Sequence, residues 1–66
     1  MADEVITRLK NIEGHITAIR QMAANEANLF ELVGQIKAIQ TALHQVKFHL
    51  LGRYLHTWLA NVVQPN

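Results

Sequence analysis

The side chains able to do chemistry in this chain are few. Six Lys or Arg and four His face five Asp or Glu, and cysteine and serine are absent. That removes the usual nucleophiles, disulfides and thiolate metal sites. Glu26 and Glu31 flank a short polar stretch and read as cap and solubility residues rather than an acid–base pair. No enzyme is expected. For a metal, His49 and His56 lie seven residues apart and share a helical face, but His44 is turned roughly 140° from His49. No His-x-x-x-His pair exists. A transition-metal site through His44, His49 and His56 therefore needs several chains. The plainer reading is surface or interface imidazoles, so no cofactor is expected and a metal is kept only as an alternative.

The cations suit a different task. Arg8 and Lys10 stand near the start of the first periodic segment and Lys37 in the second. Joined antiparallel near residue 26, the two segments set position 37 roughly opposite position 15. The expectation is one shallow band of Arg8, His15 and Lys37 that neutralises phosphates additively, with affinity that falls with salt. The planar fork of Arg8 suits phosphate oxygens better than Lys10 does. Charge is unevenly spread: residues 1–33 hold three basic and five acidic groups, residues 34–66 three basic and none acidic. With a net charge of +1, this permits a basic surface in an oligomer without demanding one.

Helices must position these groups. Ile6, Leu9, Ile12, Ile16, Ile19 and Met22 recur at steps of three or four, the helical period. A helix over 4–24 is expected, with Asp3 as its cap and Gly14 either a surface glycine or a point of close backbone approach. Residues 25–28 form a turn, with Asn28 and Glu31 resembling a capping box. A second helix over 29–60 carries Leu29, Leu32, Ile36, Ile39, Leu43, Val46 and Leu50 at strict heptad spacing. A further stripe of Leu51, Leu55, Trp58 and Val62 follows it, with Tyr54 beside it. A tail over 61–66 contains Pro65, the only firm stop.

Lengths then imply association. Helices of about 20 and about 31 residues span roughly 30 and 46 Å, so the second outruns the first and its apolar end needs another chain. At 66 residues, 50% of them apolar, a lone chain is marginal. The expected fold is all-α: one domain, an antiparallel long-helix hairpin that assembles into a four-helix-bundle dimer, extended to a tetramer through the protruding ends. No run reaches ~18 apolar residues, so no membrane span is expected. The opening residues lack the order of a signal peptide, and a cytoplasmic location is expected.

"RLKNIEGHITAIRQM" followed by "LVGQIKAIQTALHQVKFHLL" resembles the copper-, nickel/cobalt- and formaldehyde-sensing, metal-sensitive family of small all-helical bacterial repressors. Arg8, Leu9, Ile12, Glu13 and Gly14 match its first-helix motif, with His15 where glutamine is usual, and Gln35 to Leu43 match its second-helix core. The resemblance covers roughly residues 5–59. It implies a homodimer, usually a disc-shaped homotetramer, that binds double-stranded operator DNA when free of effector and releases it when effector binds. It places the DNA surface at basic positions near the first-helix motif and along the second helix, here Arg8, Lys10 and Lys37. The family's sensing cysteine, histidine and second, copper-sensing cysteine fall on Leu29, Tyr54 and Trp58, and its third helix is nearly absent. A divergent transcription regulator that has lost its effector site is expected. The alternative is a helical interaction module that does not bind DNA and pairs with a paralogue.

Overall fold

The computed structural model describes the backbone of residues 2–63 and the side chains of residues 4–63. Among these residues there are two helices and no strand: α1, Ala2–Ala24, and α2, Leu29–Val63, packed as an antiparallel hairpin. α1 begins ahead of the expected residue 4, so Asp3 lies in its first turn rather than before it. α2 runs past residue 60 to Val63; Pro65 lies outside the described residues.

The turn works through both helix ends. Glu26 adopts a left-handed backbone at φ 57°. Its N–H bonds the carbonyl of Ala23 at 3.2 Å, and the N–H of Ala27 bonds that of Met22 at 2.9 Å. These are the two bonds of a Schellman motif, which satisfies the last carbonyls of α1. A residue with a side chain is disfavoured at such a position by roughly 1–2 kcal/mol. Two residues on, Asn28 Oδ1 accepts from the N–H groups of Phe30 at 2.8 Å and Glu31 at 3.2 Å, and the Asn28 carbonyl takes the first helical bond from Leu32 at 3.0 Å. Asn28→Ala is expected to cost about 1 kcal/mol, read as a lower urea midpoint with an unchanged slope.

The core is thin. Val5 and Ile12 of α1 meet Ile39 and Val46 of α2, with Ile19 and Ala42 partly buried against them. These four buried side chains are the whole core among the described residues. They divide the heptad run in two. Ile39 and Val46, in line with half-buried Leu32, face α1. Leu29, Ile36, Leu43 and Leu50 lie on the neighbouring stripe and stay exposed. On α1, Ile6, Leu9 and Ile16 are exposed beside the core stripe in the same way. Leu43 and these three line a shallow depression of about 470 Å³ between the helices. The hairpin therefore has one apolar broad face. Gly14 faces open space in this single hairpin.

Size makes the same point. The chain exposes 5624 Å², against about 4,250 Å² for a compact monomer of 7.5 kDa. Its radius of gyration is 17.1 Å and its long axis 59 Å, where a compact chain of this length has a radius of about 11 Å. α1 has 23 residues and α2 has 35, about 35 and 53 Å of helix. The excess of α2 carries Tyr54, Leu55, Trp58 and Leu59, all exposed. No described helix is long and apolar enough to cross a membrane.

Candidate nucleic-acid interface

The second broad face of the hairpin is polar. On α1, Glu4, Arg8, Asn11 and His15 follow one another at steps of four, three and four, one stripe of a helix. On α2, Gln35, Gln45 and His49 stand across from them, with small Ala42 between. The register of the hairpin sets the pairs. His15 Nε2–H donates to Gln35 Oε1 at 2.6 Å across the helices. At the other end, Glu4 Oε2 lies 3.7 Å from His49 Nε2, while Glu4 Oε1 accepts from Arg8 Nη2 at 3.2 Å. Between these ends, Arg8, Asn11, Ile12, His15, Ala42 and Gln45 line a cleft of about 180 Å³. Arg8 Nε is out of contact with solvent there and has no hydrogen-bond partner.

The three expected phosphate contacts are not brought together in one chain. Arg8 lines the polar cleft, but Lys10 lines the rim of the apolar depression on the other side of α1. Two residues on a helix turn through about 200°, which is why neighbours in sequence part company here. Lys37 is exposed and two residues from buried Ile39, so it points away from α1 on the outer side of α2. Position 15 does lie across from this part of α2, but it is Gln35 that turns inward to His15. Asn11, Gln35 and Gln45 also lie on this face, and the sequence alone did not single them out. The regular polar spacing from Glu4 to His15 was the signal that could have found their face.

The histidines are dispersed. His44 packs edge-on against Phe48 with ring centroids 4.7 Å apart. His49 faces Glu4, and His56 lies on the protruding end beside Gly52 and Leu59. Among the described residues no three His, Asp or Glu side chains gather to hold a metal ion. Leu29 begins α2, and Tyr54 lies 25 residues further along the same helix, about 38 Å away at 1.5 Å per residue. Both are exposed, as is Trp58. Leucine offers no donor atom and the indole N–H is a donor only. This set does not fit a transition metal that favours thiolate and imidazole.

The family model for metal-sensitive transcriptional repressors matches residues 2–65. The chain belongs to this family. As a member of the metal-sensitive repressor family it is 34% identical, over 62 residues, to the copper-sensing transcriptional repressor CsoR of Bacillus subtilis (strain 168). That match takes in 94% of this chain and 61% of CsoR, so the chain spans about three fifths of its relative's length. No solved structure matches it. Of the residues on which the first-helix resemblance rested, Arg8 lines the polar cleft, Ile12 is core, and Leu9 belongs to the apolar face.

Proposed function

We propose that the chain is a DNA-binding transcription regulator of repressor type that works as a homo-oligomer and no longer senses a metal through the family's positions. The observation that carries this reading is the division of the hairpin into an apolar and a polar face. The apolar face calls for a second copy. Its α2 stripe is symmetric about Leu43: a two-fold axis there pairs position 36 with position 50 and sets position 29 beside Trp58. Such self-complementarity is what an isologous dimer needs, and the product is a four-helix bundle. The protruding ends then offer a further contact that makes a tetramer of two dimers. The polar faces, each with one Arg8, stay outside.

Arg8 is the principal phosphate contact in this reading, repeated by symmetry, with Lys10 and Lys37 supplying weaker charge from other sides. Phosphate contacts position the protein; base contacts or DNA shape must supply any selectivity. Leu29, Tyr54 and Trp58 act as an apolar cluster between chains, and effector control at these positions is lost. Equilibrium dialysis with copper(I), nickel or zinc is then expected to show no binding tighter than that of exposed histidine. A tight site at one metal per chain would restore the sensor reading.

A mobility shift on duplex DNA from the gene's own promoter tests the function. A salt-dependent complex with a defined footprint is the expected result. No shift at low salt, with a stable oligomer still present, selects the interaction-module reading instead. The low net charge of +1 is what keeps that alternative worth the assay.

A further inference from the structure

Two polar contacts tie α1 to α2 among the described residues, and each uses a histidine. Near the turn, His15 Nε2–H donates to Gln35 Oε1 at 2.6 Å. At the open end of the hairpin, His49 Nε2 stands 3.7 Å from Glu4 Oε2. The two respond differently to a proton. A ring that donates through Nε2–H does so in both its neutral and its charged form, so the His15 contact persists. The His49 contact is too long for a hydrogen bond, and what it gains depends on charge. A neutral ring gains little there; an imidazolium faces a carboxylate. Histidine is the side chain that changes charge between about pH 5 and 8.

Glu4 is shared. Its Oε1 holds Arg8, four residues on along its own helix, at 3.2 Å, while Oε2 is turned to α2. The carboxylate therefore sits between a permanent cation on α1 and a titratable one on α2. On its own helix His49 is followed by Arg53 one turn on and His56 two turns on, neither of which brings negative charge. Asp3 precedes Glu4 in the first turn of α1; its side chain lies outside the described residues. Val5, beside Glu4, is the core residue nearest the open end, so what draws Glu4 to α2 also holds Val5 in place.

We infer that Glu4 and His49 form a proton-operated clasp across the open end of the hairpin. Charging His49 completes the one ionic tie between the two helices among the described residues and docks the first turns of α1 more firmly. The tie is present while His49 is charged, on the acid side, and is lost as pH rises through the titration of its ring. The two side chains are 32% and 52% exposed, so the effect on local opening is about two- to fivefold. The clasp involves neither DNA nor a second copy and stands or falls apart from both.

The test is amide hydrogen exchange by NMR on the full ¹⁵N-labelled chain at about pH 5.5 and 7.5, corrected for the intrinsic pH dependence of exchange. The readout is the protection of Ile6 to Lys10 divided by that of Thr17 to Gln21, so that a uniform change in assembly cancels. The ratio is expected to be about two- to fivefold higher at the lower pH. Glu4→Gln and His49→Gln are each expected to abolish that difference, and His15→Gln to leave it. Arg8→Gln, which leaves the carboxylate to His49 alone, is expected to enlarge it. The ¹³C shift of the Glu4 carboxyl reads the contact directly and is expected to follow the titration of the His49 ring. A ratio that ignores pH in the wild type, or that changes equally in Glu4→Gln and His49→Gln, overturns the clasp. So does a Glu4 carboxyl signal that does not move as the His49 ring titrates.

Discussion

With the apolar faces paired as proposed, Leu43→Glu should convert the protein from a folded oligomer into a largely unfolded single chain. Leu43 lies at the centre of the exposed α2 stripe, 45% exposed in one hairpin, between the α1 residues Ile6, Leu9 and Ile16 on one side and open space on the other. On a two-fold through Leu43, each glutamate would meet its own symmetry mate inside the bundle. Two like carboxylates in an apolar seam cost several kcal/mol each unless they take up protons. The same substitution forfeits the burial of two leucines, about 1.5–3 kcal/mol apiece. Dimer affinity should fall at least a thousandfold. The hairpin left behind has four buried side chains among the described residues, too few for 66 residues to hold a fold alone. Sedimentation at micromolar concentration should give a species near 7.5 kDa, and circular dichroism should lose most of its helical signal. Leu43→Met keeps volume and apolarity and should change little. If Leu43→Glu stays oligomeric and helical, the assembly uses another face.

In the proposed regulator, Arg8→Ala should lower DNA affinity by about a hundredfold or more without touching the fold. Arg8 contributes little to stability: its one ion pair, to Glu4, is an i,i+4 contact on the surface with both side chains about half exposed, and such pairs are worth less than about 1 kcal/mol. Its contribution to DNA binding is repeated in every protomer that touches the duplex. A charge-assisted hydrogen bond adds about 1.5–3 kcal/mol, so the removal of two should lower affinity by about a hundredfold or more. The slope of log affinity against log salt should become shallower by roughly 0.9 for each phosphate that is no longer neutralised. Arg8→Lys should keep that slope and still weaken binding about tenfold, because an ammonium cannot reproduce the planar fork. Mobility shifts over a salt series, with sedimentation as the control for assembly, check all three expectations. Lys37→Ala, on the outer side of α2, should have a smaller effect unless the duplex wraps the oligomer.

How far these residues could be read from sequence depends on which physical quantity was encoded locally. The helices and the turn were legible because they are local. Apolar spacing marks a helix, and Asn28 three residues before Glu31 marks its start; Asn28 Oδ1 does cap α2. The left-handed residue at Glu26 was not legible, since glycine is the usual occupant of that position and glutamate gives no such signal. The heptad run was visible as one series but not as two surfaces. Spacing of seven tells that Leu32, Ile36, Ile39 and Leu43 share one side of α2. It does not tell that α1 takes Ile39 and leaves Leu43. That choice depends on the rotation of each helix about its axis, which is decided by packing across the hairpin.

The same rotation accounts for the site. Chain length from the turn gave the height at which positions 15 and 37 face each other, and height alone suggested a shared basic band. Rotation moved Lys37 to the outside and brought Gln35 to His15. The polar cleft therefore rests on amides that look ordinary in sequence. Asn11 and Gln45 come together only through the hairpin, which sets both beside Arg8 along one cleft. What sequence did carry was Arg8 near the start of α1 and side chains other than thiolate or imidazole at positions 29, 54 and 58.

Sedimentation velocity of the wild-type chain mixed with dye-labelled promoter duplex at low salt, read at both the protein and the dye wavelength, bears most directly on the central claim that paired hairpins present Arg8 to DNA. The prediction is one co-sedimenting species containing an even number of chains per duplex, which dissociates as salt is raised. A well-folded single chain sedimenting apart from free DNA would contradict both the shared apolar face and the phosphate-binding surface built on it.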